Sequence, residues 1–289
     1  MLARSVLLAL FCSAVSLRVA VLSDHASNAW AKKSSCAGAK GEVKTRCNLQ
    51  VYRDAISKAA GAGADVLVLP EGYGLDNPTR RTFYEPLISK KGSNPCIFGD
   101  DSAHPVQTQL SCLAAEHSIS VSVNIFTTLS NGTRRITDIV FGPKGSVEAV
   151  YHKHHLWVSE YLHFRSGPYL PTTVTIAGHT LGLIICWEGV YPFLTRDFSQ
   201  VTDLVSHHKA QALLWSVGGV PSMMAKMAKS LAQRYNVPVV GSATEGAGVI
   251  IHADGSPSPY VTVVPLDEIE GYTAKASVAV ADLELVERP

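Results

Sequence analysis

The run Asp65–Leu69 (DVLVL) carries no polar side chain after its first residue. A strand of that kind is buried on both faces, so the sheet it joins must be covered on both sides. The same reading extends along the chain. Strands are expected at Arg18–Leu22, Ile119–Phe126, Thr173–Ala177, Leu181–Ile185, Ala212–Ser216 and Val237–Ser242. Ile136–Phe141 and Val147–Tyr151 flank Gly142-Pro143-Lys144-Gly145 and read as a hairpin. Val249–His252, Tyr260–Val264 and Ser277–Ala281 read as further strands. Helical spacing appears at Asn48–Ala60, stopped by Gly61 and Gly63, and at Val106–Glu116, Phe193–Val205 and Ser222–Tyr235. Strands alternating with helices, with hairpins among them, predict a layered α/β or α+β protein. Hydrophobic residues are 46% of the chain and charged residues 17%, against about 25% charged in ordinary domains, which supplies the apolar mass such layers need.

Charge narrows the partners. Lys and Arg number 25 and Asp and Glu 24, so no basic surplus exists to neutralise phosphates, and nucleic-acid binding is not expected. Met1–Ser16 joins a basic residue, Arg4, to the apolar Val6–Phe11 and then to small residues. That is the pattern of a secretory signal cleaved near Ser16, leaving residues 17–289 as one domain. The apolar run is shorter than the ~20 residues that span a bilayer, and no transmembrane segment is expected. Removing Cys12 with the signal leaves Cys36, Cys47, Cys96, Cys112 and Cys186. Local disulfides between Cys36 and Cys47 and between Cys96 and Cys112 are one arrangement, although spacing alone does not fix the pairing. Cys186 is then the thiol left over. Asn131-Gly132-Thr133 is a glycosylation sequon at a hairpin tip.

In layered α/β proteins, ligands bind beyond the carboxyl ends of strands. Three such ends carry reactive groups: Glu71 after Asp65–Leu69, Lys153 after Val147–Tyr151, and Cys186 after Leu181–Ile185. A carboxylate can take a thiol proton, a lysine can hold an oxyanion, and a thiolate can attack a carbonyl or nitrile carbon. Together they point to acyl transfer from an amide or nitrile. Trp187, Tyr73 and Trp215 are candidate walls for the substrate. The histidines His152, His154 and His155 lack companions at zinc spacing, so no metal is expected, and no cofactor motif occurs. The irregular segment Leu75–Asp101 is a candidate active-site loop.

The segments VLVLPEG (Val66–Gly72), VYHKHHLW (Val150–Trp157) and LGLIICWE (Leu181–Glu188) resemble the three signature segments of the nitrilase, or carbon–nitrogen hydrolase, superfamily. RVAVLSDHA near the start, NLQVYRDAISKAAGAGADVLVLPEG and NPCIFGDDSAHPVQTQLSCLA (Asn94–Ala114) make the secreted vanin (pantetheinase) and biotinidase branch the most similar part of it. The resemblance implies a four-layer αββα sandwich, a Glu71–Lys153–Cys186 triad and a second glutamate at Glu160. It further implies a small amide as substrate, cut through a cysteine thioester, and a homodimer paired through a helical face. Two other readings stay open on the same scaffold: a nitrilase, and an inactive secreted binding protein.

Overall fold

The computed structural model describes residues 16–78, 82–219, 221–244 and 246–286. In chain order it runs β1 (Ser16–Ser23), α1 (Gly41–Gly61), β2 (Val66–Val68), β3 (Glu85–Pro86), α2 (Pro95–Phe98) and α3 (Pro105–His117). Next come β4 (Ser120–Thr128), β5 (Arg134–Phe141), β6 (Val147–His152), β7 (Thr173–Ile176) and β8 (His179–Ile185). The last part holds α4 (Tyr191–Thr195), α5 (Ser199–Thr202), β9 (Ala212–Val217), α6 (Pro221–Tyr235), β10 (Val239–Ala243), β11 (Val249–Ile251), β12 (Thr262–Pro265) and β13 (Ser277–Glu284). The leader expected over Met1–Ser16, with Cys12, lies outside the described residues apart from Ser16, which opens β1.

Among the described residues the strands form two sheets. One has the order β12-β13-β1-β2-β4-β5-β6, with β3 beside β4. The other has the order β11-β10-β9-β8-β7. The central pairs β1–β2, β2–β4, β8–β9 and β9–β10 are parallel, and the outer pairs β5–β6, β1–β13, β7–β8 and β10–β11 are antiparallel.

Alternation along the central strands produces the layers. In β2, Val66 and Val68 face the space between the sheets, while Leu67 faces α1 and α3. In β8, Leu181, Leu183 and Ile185 face the same inner space, while Ile184 packs with Leu213, Trp215 and the α6 residue Leu231. Three apolar cores therefore separate four layers, helix–sheet–sheet–helix, as the αββα expectation requires. All three residues of β2 are fully buried, which is why both its faces had to be apolar.

Two expectations are corrected. The helix read over Phe193–Val205 is broken into α4, α5 and a π-helical turn at Asp203–His207. Arg196 takes a left-handed conformation (φ 64°) and interrupts it, a break that apolar spacing cannot register. The helix read from Asn48 begins at Gly41, so it also carries Cys47. That cysteine pairs with Cys36, and Cys96 pairs with Cys112, tying α2 to α3. Cys186 is the free thiol among the described residues.

Candidate active site

Four strands end at one place on the seam between the sheets. Glu71 follows β2, Lys153 follows β6, Cys186 follows β8, and Gly218 follows β9. Lys153 is almost completely buried, and its Nζ donates to Glu71 Oε1 at 2.8 Å and to Glu160 Oε1 at 2.8 Å. An ammonium has three N–H donors, so one remains for a substrate oxygen. Glu160 sits in a short 3-10 turn (Val158–Leu162), and its Oε2 accepts from the Trp157 N–H at 2.7 Å. Cys186 opens another 3-10 turn (Cys186–Gly189) with φ +43°, a conformation a non-glycine residue holds only under constraint.

The charges of these groups depend on one another. Burial raises the Glu71 carboxyl to about 7, although Lys153 opposes the shift. Burial works against the Lys153 ammonium too, but Glu71, Cys186 and Glu160 outweigh it and hold the lysine charged well beyond its ordinary range. Burial, followed by the negative charge of Glu71, pushes the Cys186 thiol up. Lys153 and the Gly218 N–H pull it down without prevailing. The thiol is thus protonated at rest. An attack by it would call for a base, and Glu71, raised to about 7, is the carboxyl group beside it.

Further residues, to which no role was assigned from sequence, hold this arrangement. Glu188 is buried and accepts four hydrogen bonds. Its Oε1 takes the Tyr151 hydroxyl (2.6 Å) and the N–H groups of His154 (2.8 Å) and His155 (3.1 Å), and its Oε2 takes the N–H of Ile185 (2.8 Å). One carboxylate thereby clamps the segment after Lys153 to the residue before Cys186. Below Glu71, the Gly72 N–H donates to Asn124 Oδ1 (2.9 Å), and Asn124 Nδ2 donates to Asp138 Oδ1 (2.8 Å). Burial pushes the Asp138 carboxyl well above its ordinary range. Gly218 leaves room for the base: a Cβ there would stand 2.1 Å from Glu71 Oε2 and 2.7 Å from the Tyr73 ring. Among the described residues, Glu71 Oε2 is buried without a hydrogen-bond partner.

Above Cys186 opens a cavity of about 330 Å³. Glu71, Glu160 and Cys186 border it, as do the expected wall residues Tyr73, Trp187 and Trp215. Trp215 has a second task, donating its indole N–H to the Cys186 carbonyl at 2.9 Å. Trp157, Val190, Met223 and Met224 are further wall residues and were not foreseen. The Gly218-Gly219 pair just past an apolar strand was the available signal for this part of the site. Among the described residues, none of Leu75–Asp101 lines the cavity. The histidines after β6 have other duties: the Nδ1 atoms of His152, His154 and His155 lie within hydrogen-bond distance of Thr137 Oγ1, the Gly167 carbonyl and Gln200 Oε1. Asn131 lies exposed in the turn between β4 and β5.

Comparison with known proteins agrees with this architecture. Pantetheinase of Canis lupus familiaris is 35% identical over 177 residues, which cover 52% of this chain and 34% of that protein. Pantetheine hydrolase VNN2 of Homo sapiens is 33% identical over 159 residues, covering 49% and 30%. Biotinidase of Rattus norvegicus is 25% identical over 218 residues, covering 68% and 40%. The chain thus spans about a third of the length of the pantetheinases it matches. The crystal structure of an amidase from Nesterenkonia sp. shares the fold, with a TM-score of 0.64 at 18% identity over 93% of this chain and 90% of that one. Residues 38–205 match the family described as carbon-nitrogen hydrolase. With four layers, and with Glu71, Lys153 and Cys186 at the ends of their strands, this chain belongs to the carbon–nitrogen hydrolase family.

Proposed function

We propose that this protein hydrolyses a linear, non-peptide C–N amide bond through a thioester on Cys186. The observation that carries the reading is the buried Lys153 ammonium shared between Glu71 and Glu160, beside a free thiol on a constrained turn. Glu71 takes the Cys186 proton as sulfur attacks the carbonyl carbon. The third Lys153 N–H stabilises the oxyanion, as does the N–H of Trp187, which in the first turn of its short helix has no acceptor within that helix. Collapse breaks the C–N bond, and Glu71 returns its proton to the departing amine. Water then gives a proton to Glu71 and attacks the thioester, releasing the acid and restoring the thiol. Glu160 holds Lys153 in place through both steps.

The relatives' names make pantetheine and biotinyl amides the first substrates to test. Two disulfides suit an oxidising compartment, and no helix among the described residues is long and apolar enough to cross a membrane. The reading therefore includes a secreted or secretory-lumen protein, with Asn131 as a glycan acceptor. Incubation with pantetheine, a biotinyl amide, simple amides and nitriles tests it, with released amine or ammonia as the readout. Amine release that disappears in Cys186→Ala is expected. Undiminished release by Cys186→Ala overturns the mechanism, and ammonia from nitriles alone would make the protein a nitrilase.

A further inference from the structure

We infer that the cavity selects neutral amides whose acyl chain is apolar and rejects those whose acyl chain ends in a carboxylate. The inference rests on the hydrolase reading above and names the substrate class of that site. Its first support is the wall. The Trp157 and Trp187 rings meet edge to face with centroids 4.4 Å apart, and Val190, Met223, Met224 and Trp215 continue the apolar surface. Trp157 is 44% exposed and Met223 42%, so two large apolar side chains stand half in water at the mouth of the cavity. An apolar group seated between them removes that surface from water. Methionine and tryptophan also accept varied shapes, since one is flexible and the other broad and flat.

The second support is charge. The described residues at the reaction centre supply one cation, Lys153, against two carboxylates, Glu71 and Glu160, and the lysine is committed to both. Both Glu160 oxygens are occupied, one by Lys153 and one by the Trp157 N–H. A substrate carboxylate held in the cavity would meet two carboxyl groups that already share the single ammonium, with no free cation among the described lining residues. An unpaired charge in such a place is strongly disfavoured.

A series of acyl p-nitroanilides with one leaving amine tests the inference. From acetyl through butyryl to hexanoyl, kcat/KM should rise by about fourfold per buried methylene. Adipoyl, which is hexanoyl ending in a carboxylate, should fall below hexanoyl by at least about a hundredfold. Met223→Lys should narrow that gap by favouring adipoyl over hexanoyl. A flat chain-length series, or equal rates for hexanoyl and adipoyl, overturns the inference while leaving the hydrolase reading intact. If no anilide turns over, binding decides the selectivity, and the amide panel above decides the hydrolase reading separately. Hexanamide should then change the tryptophan emission of the protein and adipamate should not; equal responses overturn it.

Discussion

Gly218→Ala tests whether the geometry around Glu71 is what the chemistry needs. The added Cβ would stand 2.1 Å from Glu71 Oε2, and ordinary contact begins near 3.4 Å. The carboxylate must therefore retreat by about 1.3 Å, the difference of those two distances. It cannot do so freely, because its other oxygen is held by Lys153 at 2.8 Å in a fully buried setting. Misplacing a reacting group by about 1 Å costs on the order of a hundredfold in rate. Overpacking costs about 1–3 kcal/mol of stability, a shift of a few degrees in Tm. The expected outcome is a folded protein with kcat/KM for amide hydrolysis reduced by roughly a hundredfold. Gly61→Ala is the control, since nothing lies within 4 Å of its Cβ and it is remote from the cavity. Amine release gives kcat/KM, and thermal unfolding gives the structural cost. If Gly218→Ala keeps kcat/KM within about threefold of the parent, Glu71 is not the base in the position described.

Because Glu71 is held near 7, kcat/KM should fall below neutrality as the base becomes protonated, and a pH–rate profile should place that limb near pH 7. The native carboxyl binds its proton more tightly than the unfolded one, whose value lies near 4.5, so stability falls as pH rises between the two. Glu85 is raised to about 7 by burial as well, and denaturant titrations of Glu71→Gln should therefore show this slope reduced but not abolished. Glu188→Ala strips four donors of their acceptor, and unfolding in urea should show a loss of at least about 3 kcal/mol, with hydrolysis lost in the fraction that stays folded. Reducing the disulfides, which close 11- and 16-residue separations, should cost about 2–3 kcal/mol each in the same assay and leave the Cys186 chemistry available.

The candidate catalytic residues were legible because each follows a strand: Leu67–Leu69 before Glu71, the Val147–Tyr151 run before Lys153, and Leu183–Ile185 before Cys186. Period and burial along one strand are local properties, so the layers could be read with them. What escaped depends on residues distant in the chain. Gly218 matters only because β9 ends against the turn after β2, and no local pattern records that approach. Asp138 and Asn124 lie in strands where polar residues read as the wet face of a hairpin, yet both side chains are buried beneath Glu71. Glu188 is adjacent to the signature cysteine, but its four partners come from two separate strand ends. The broken helix after β8 escaped for a simpler reason: its left-handed residue is an arginine, which carries none of the signal a glycine would.

On the proposed mechanism, the seam between the sheets also decides when the site is complete. The base and the lysine end strands of one sheet, while the thiol and the glycine that makes room for the base end strands of the other. Neither sheet, however well formed, contains a nucleophile together with its proton acceptor. The pair meets across 115 residues of chain between Glu71 and Cys186, so it belongs to the non-local contacts that form slowly. In a refolding chain, secondary structure should then return without turnover, and the first product released should mark the docking of one sheet onto the other.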